Sequence, residues 1–177
     1  ALELYRTSDI DFDIVSFNNF SREHIDQHGS FERYWEVKSS LIRNAKETSI
    51  AILNMDNDRV ASLINDTKVE VVTFSINKDR GMIQCENVTL NKGRASFIVN
   101  IKDDIRLNSR IIKRNRFEVS LRIPGYHSVE NAMMGIVIAL CDGVDVKIIQ
   151  EALKEFGGVE RRFEYIYEDH FIVIDDH

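Results

Sequence analysis

Apolar residues along this chain recur with two different spacings, and the change from one to the other divides it. Phe31, Tyr34, Lys38, Leu41 and Ala45 follow at three- and four-residue steps, the spacing of one helix face. Ile50-Ala51-Ile52-Leu53-Asn54 is a continuous apolar run of the kind buried in a parallel sheet. Phe12 to Phe17 and Val69 to Ser75 read as further strands, and Met55-Asp56-Asn57-Asp58 as a turn and cap for a helix over Asp58 to Ile64. Beyond Ser75 the period falls to two. Met82 to Val88, Ala95 to Ile101 and Arg116 to Ile123 read as antiparallel strands, with turns at Asn77-Lys78-Asp79-Arg80-Gly81 and Asn91-Lys92-Gly93. Helical spacing returns in Val129, Ala132, Met133, Ile136, Val137 and Leu140, with Ser128 as a cap and Gly143 as the stop. A last helix, capped by Asp145 and packed through Val146, Ile149, Leu153 and Phe156, ends at Gly157-Gly158. The pattern predicts an α/β fold: a partial parallel sheet flanked by helices, with a small antiparallel sheet appended.

Composition narrows the class. At 177 residues and 44% hydrophobic content the chain has enough apolar surface for a packed core. A net charge of −6 with acids and bases interspersed offers no basic stripe for nucleic acid. The longest apolar run, Gly135 to Cys141, falls well short of the roughly 18 residues of a membrane span. Ala1-Leu2-Glu3-Leu4 lacks the basic and apolar regions of a secretory leader. Cys85 and Cys141 are isolated, as expected of reduced thiols in a cytoplasmic protein.

Lys38 is the candidate for unusual chemistry, because its spacing puts it within an apolar stripe. A buried ammonium must reach solvent, find a carboxylate or lose its proton. One outcome is a lysine that snorkels to the helix edge. The other is a neutral amine, which can add carbon dioxide and become a carbamate able to hold a divalent cation. His24 is open in the same way, between a loop-packing role and a ligand. His28 reads as a structural residue before Gly29.

The company that Lys38 keeps resembles the Mur ligase family. The family pattern is Thr-Asn near a strand end, Asp-His-Leu-Asp-x-His-Gly, then Tyr-x-x-Ala-Lys on the next helix. Asn19, His24, Asp26, His28, Gly29, Tyr34 and Lys38 fall in register with it, while Glu23 and Val37 depart conservatively. Asn54 and Asp56 match the family's Asn-Ala-Asp-Asp, with Asn57 departing. Gly125, His127, Asn131 and Ala132 match Gly-x-His-Asn-x-x-Asn-Ala, with Ser128 in place of the first asparagine. Val159-Glu160-Arg161-Arg162-Phe163-Glu164 is similar to Gly-Arg-x-Glu, and Phe171 to His177 to the opening strand of the family's C-terminal domain.

The resemblance, closest to the UDP-N-acetylmuramoyl-tripeptide synthetases, implies an ATP-dependent amide ligase of peptidoglycan precursor synthesis. Such an enzyme passes the γ-phosphoryl of ATP to a carboxylate of a UDP-N-acetylmuramoyl-peptide, and an amino acid's amine then displaces phosphate. It implies that Glu3, His24 and carbamylated Lys38 organise a Mg2+ or Mn2+ site, and that Asn131, His127, Arg162 and Asp176 hold the nucleotide. Glu3 is carried over on a weaker match, since Leu4-Tyr5-Arg6 stands where the family has a pair of serines; alone it reads as a solvated side chain. Residues 1–158 would be the later part of the central ATP-binding domain, and 159–177 a hinge and the first strand of the next. No Gly-x-x-x-x-Gly-Lys-Thr phosphate loop is found among the eight glycines. These residues alone are therefore expected to be inactive. Two alternatives stay open: a sibling amide ligase of the folylpolyglutamate or polyamino-acid type, and a non-catalytic nucleotide-binding remnant.

Overall fold

The computed structural model describes residues 10–21, 30–158, 164–168 and 172–175. Six strands form one sheet in the order β1-β2-β3-β4-β5-β8. In it β1 (Ile14–Phe17), β2 (Ile50–Asn54) and β3 (Glu70–Ser75) run parallel, and β4 (Ile83–Asn91) joins β3 in parallel through Phe74 and Ser75. Strands β5 (Arg94–Ile101) and β8 (Asn115–Pro124) add antiparallel. The α/β class read from the sequence is what forms. The period-two strands extend the parallel sheet edge to edge, because β4 pairs with β3 on one side and β5 on the other. A two-stranded ribbon of β6 (Ile105–Arg106) and β7 (Ile111–Ile112), too short to show a period, interrupts the chain before β8. Another antiparallel pair joins β9 (Glu164–Glu168) to β10 (Ile172–Asp175).

Strand β2 shows why a continuous apolar run marks this position. Ile50 and Ile52 enter the core on one face of the sheet, and Ala51 and Leu53 the core on the other. The first core is built with α3 (His127–Asp142), which contributes Val129, Met133, Ile136 and Val137, and with Ile149 of α4 (Val146–Glu155). The second is built with α1 (Phe31–Arg43) and α2 (Asp58–Ser62), which continues as a 3-10 turn over Leu63–Asn65. Each fully buried Ile or Leu in these layers contributes about 2 kcal/mol.

Helix α1 is phased differently from the expectation. Ser30 caps it by accepting the N–H of Arg33, and Tyr34, Trp35, Ser39 and Ile42 are buried. Lys38 is exposed, with its Nζ 5.6 Å from the centre of the Tyr34 ring. The Tyr34 to Lys38 step follows the margin of the buried stripe, because Trp35 and Ile42 rather than Phe31 and Leu41 make its centre. Burial therefore does not bear on this amine.

Helix α3 also starts differently. Ser128 does not cap it. Its hydroxyl is buried inside the first turn and donates to the Pro124 carbonyl at 2.6 Å. The chain enters the helix through Gly125, whose φ of +90° favours glycine. Gly143 closes the helix at φ +88°, as its position predicts. In α4 Asp145 caps as expected, whereas Phe156 is 46% exposed and adds nothing to the core.

Candidate functional site

Open α/β sheets place ligands beyond the carboxyl ends of their parallel strands. Here those ends carry polar residues. Asn18 and Asn19 follow β1, Asn54 ends β2, and the loop 76–81 follows β3. The first turns of α3 arrive at the same place and bring Tyr126, Glu130 and Asn131.

Side-chain hydrogen bonds tie these segments together. Asn54 is 1% exposed, yet its polar atoms all have partners. Its Oδ1 accepts the N–H of Asp56 at 2.9 Å, and its Nδ2 donates to Asn18 Oδ1 at 3.3 Å and Glu130 Oε1 at 3.2 Å. Asn19 Nδ2 donates to Glu130 Oε2 at 3.4 Å, and Asn18 Nδ2 reaches Asn131 Oδ1 at 3.5 Å. A buried amide left unpaired would cost about 1–3 kcal/mol, so the partners of Asn54 are part of the fold's stability.

The loop after β3 is held by Asp56. Its carboxylate accepts the N–H groups of Ile76 at 2.6 Å, Asn77 at 3.1 Å and Lys78 at 2.9 Å. Asn77 in turn accepts the Tyr126 hydroxyl at 2.8 Å, which joins this loop to the start of α3. Burial, with the charges of Asp56 and Glu130 among the lesser causes, pushes the Tyr126 phenol up from its ordinary range. Lys78 and Arg80 both bond the Asp58 carboxylate and hold its pKa below the ordinary aspartate value.

An aromatic cluster stands beside the end of β1. Phe20 and Phe31 lie 4.8 Å apart between ring centres, and Phe20 also packs on Tyr34 and Trp35, each at 5.0 Å. The Arg59 guanidinium lies 4.7 Å from the Phe31 ring and grips Glu32 through both carboxylate oxygens at 2.6 and 2.9 Å. Residues 22–29, which carry His24, lie outside the described residues; Ser21 and Ser30 flank them.

Of the residues named from sequence, Asn131, His127 and Lys38 are described. Asn131 is exposed on α3, joined to Asn18, and His127 is exposed at the first position of that helix. Lys38 is exposed on α1. Glu3, His24, Arg162 and Asp176 lie outside the described residues. Among the described residues no group of three or more His, Cys, Asp or Glu side chains could hold a metal, and no helix is long and apolar enough to cross a membrane. Two clefts of about 410 and 360 Å³ lie away from the strand-end web. One lies at the amino ends of β3 and β4 and the other at the end of α3 near Arg110. Asn18, Glu130 and Tyr126 escaped the sequence reading, since their partners are distant in the chain. Two polar residues directly after a parallel strand were the available signal for Asn18.

Comparison with known proteins gives a consistent answer. A family model described as the Mur ligase middle domain matches residues 1–139. The UDP-N-acetylmuramoyl-L-alanyl-D-glutamate–2,6-diaminopimelate ligase of Caldanaerobacter subterraneus subsp. tengcongensis is 33% identical over 177 residues, covering 99% of this chain and 34% of that protein. The UDP-N-acetylmuramoylalanine–D-glutamate ligase of Clostridioides difficile is 31% identical, covering 89% of this chain and 32% of that protein. The crystal structure of a MurF ligase from Thermotoga maritima in complex with ADP superposes with a TM-score of 0.73 at 19% identity, covering 96% of this chain and 36% of that one. The chain spans about a third of the length of the curated relatives it matches.

Proposed function

We propose, from the premise that this chain belongs to the Mur ligase family, that its parent polypeptide is an ATP-dependent amide ligase of peptidoglycan precursor synthesis. It would join an amino acid to a UDP-N-acetylmuramoyl-peptide in the cytoplasm. The observation that carries this reading is the family match over residues 1–139, in which the aligned relatives are ligases of UDP-linked muramoyl substrates. They add different amino acids, so the one added here is left open.

In this reading Asn131, His127, Arg162 and Asp176 hold ATP, and Glu3, His24 and carbamylated Lys38 hold Mg2+ or Mn2+. The residue types suit that division: carboxylate, imidazole and carbamate are donors for a hard cation, and amide and guanidinium groups suit a nucleotide. The bound cation would neutralise charge on the polyphosphate as the acyl phosphate forms. What this chain's described residues contribute is placement. The strand-end web fixes the start of α3, and the aromatic cluster fixes the residues flanking 22–29, so that substrate groups meet a preset surface. Alignment of this kind is the larger share of catalysis in phosphoryl transfer. Residues 1–158 would belong to the ATP-binding domain and 159–177 to a hinge and the first strand of the C-terminal domain. Gly158, at φ +104°, is the residue on which we place that hinge.

The test uses the full-length polypeptide. Phosphate release from ATP is expected only when a UDP-N-acetylmuramoyl-peptide and an amino acid are both present, and Lys38→Ala is expected to abolish it. Mass spectrometry of the native protein should show one carbon dioxide added at Lys38. Turnover with folate or polyamino-acid acceptors in place of the muramoyl substrate would overturn the assignment in favour of the sibling ligases.

A further inference from the structure

The hydrogen bonds around Asn54 have a direction, and the direction reaches Asn131. A backbone N–H can only donate, so the atom of Asn54 that meets the Asp56 N–H at 2.9 Å is its oxygen. The Asn54 NH2 group therefore faces the other way, toward Asn18 at 3.3 Å and Glu130 at 3.2 Å. The Glu130 carboxylate, which accepts, fixes the same orientation from its own side. Asn18 must then offer its oxygen to Asn54, which turns its NH2 group toward Asn131 at 3.5 Å. The atom of Asn131 that meets it is the oxygen. With the acceptor side of Asn131 occupied, the NH2 group of this exposed residue is the side left for a ligand.

We propose that this relay, running from the Asp56 N–H through Asn54 and Asn18, presets Asn131 as a hydrogen-bond donor to an acceptor atom of the bound nucleotide. Asn18 and Asn54 are then positioning residues that act through Asn131. The inference rests on the nucleotide-binding reading above. An asparagine free to turn over would present oxygen or nitrogen equally, and would bind an acceptor only after discarding the wrong orientation. The relay removes that choice before the ligand arrives. Glu130 locks it a second time, because a turned-over Asn54 would set its oxygen against a carboxylate.

The experiment measures MgATP affinity of the full-length protein by titration calorimetry, for the parent, Asn18→Leu, Asn131→Ala and the double variant. Asn18→Leu removes both relay bonds at similar volume. Asn18→Asp is the second probe: it still accepts from Asn54 but cannot donate to Asn131. Asn131→Ala should weaken MgATP about tenfold, the worth of one hydrogen bond. Asn18→Leu should weaken it about twofold, since an amide free to turn over presents its nitrogen half the time. Asn18→Asp should weaken it by up to the Asn131→Ala factor, because its carboxylate draws the Asn131 NH2 group inward, and neither double variant should bind more weakly than Asn131→Ala alone. Multiplying factors in the double variants would overturn the proposal, since a residue that only stabilises the fold acts independently of Asn131. Full affinity in Asn131→Asp, which has only acceptors, would overturn it as well. A parent protein that binds no MgATP would instead remove the nucleotide reading, and this inference with it.

Discussion

The Asp56 carboxylate accepts the main-chain N–H of Asn77 at 3.1 Å across the gap between β2 and β3, in the middle of three successive amides that it holds. A carboxylate set in such a row of N–H groups fixes the backbone of the loop, which Tyr126 and the Lys78 and Arg80 ion pairs hold from outside. Hydrogen bonds to a charged group contribute about 1.5–3 kcal/mol each, less where partly exposed. Asp56→Ala should therefore lower the unfolding free energy by about 2 kcal/mol in urea denaturation. It should also raise hydrogen exchange at residues 76 to 78, because those amides lose their acceptor. Asp56→Asn should restore part of the loss through its remaining oxygen.

Arg59 bonds both Glu32 oxygens through one terminal nitrogen, Nη2, while its guanidinium stands over the rings of Phe20, Phe31 and Trp35. Lysine can reproduce the charge and the contact to Glu32, but not a planar cation within reach of three rings at once. Arg59→Lys should destabilise by about 1 kcal/mol and Arg59→Ala by about 2 kcal/mol, judged from the thermal midpoint. Tryptophan fluorescence should shift to the red in Arg59→Ala, since Trp35 gains contact with water.

Phe97 is fully buried between β5 and its neighbours, within the core that α3 covers. Truncation there leaves a cavity that the surrounding sheet cannot close. Phe97→Ala is expected to cost about 3–5 kcal/mol, enough to unfold a marginal domain at 37 °C. The same change at the 54%-exposed Leu90 should be close to neutral. Chemical denaturation of the two variants side by side measures the contrast.

Acid should weaken the loop after β3. Bonds from Lys78 and then Arg80 lower the Asp58 pKa below the ordinary 3.8. A carboxylate with a depressed folded pKa adds stability that is present above its unfolded value and lost as pH falls through the folded one. The stability difference between the parent and Asp58→Asn should thus be constant near neutral pH and disappear on acidification below about pH 4. It should be small at any pH and shrink further in high salt, because the pair is exposed.

Cys85 and Cys141 are buried, and burial pushes each thiol up to about 12. Little thiolate forms at neutral pH, so neither should react with a thiol-specific reagent while the protein is folded. Both should react once denaturant is added. Labelling of either under native conditions would show that its side of the core opens.

The sheet was largely legible because its strands announce themselves locally. Ile50 to Asn54 is apolar at each position but the last, as a strand covered on both faces must be, and it forms β2 with those bounds. Helix α1 was legible as a helix but not in its rotation. Phe31, Leu41 and Trp35 are all apolar, and which of them turns inward depends on the sheet beneath, where Phe17 stacks on Trp35 at 5.8 Å. The β6–β7 ribbon escaped because strands of two residues carry no periodicity. The strand-end web was the least legible part. Asn18 and Asn131 stand 113 positions apart, and an amide's partner leaves no trace in its own neighbourhood of the chain.

The pairing of Phe20 with Phe31 fastens both ends of residues 22–29 at one point. The entropy of bringing the two flanks together is met, at least in part, by a ring contact made outside 22–29. A truncation at Phe20 or Phe31 therefore costs the closure of this stretch in addition to the contact itself, so its effect should reach beyond the aromatic cluster.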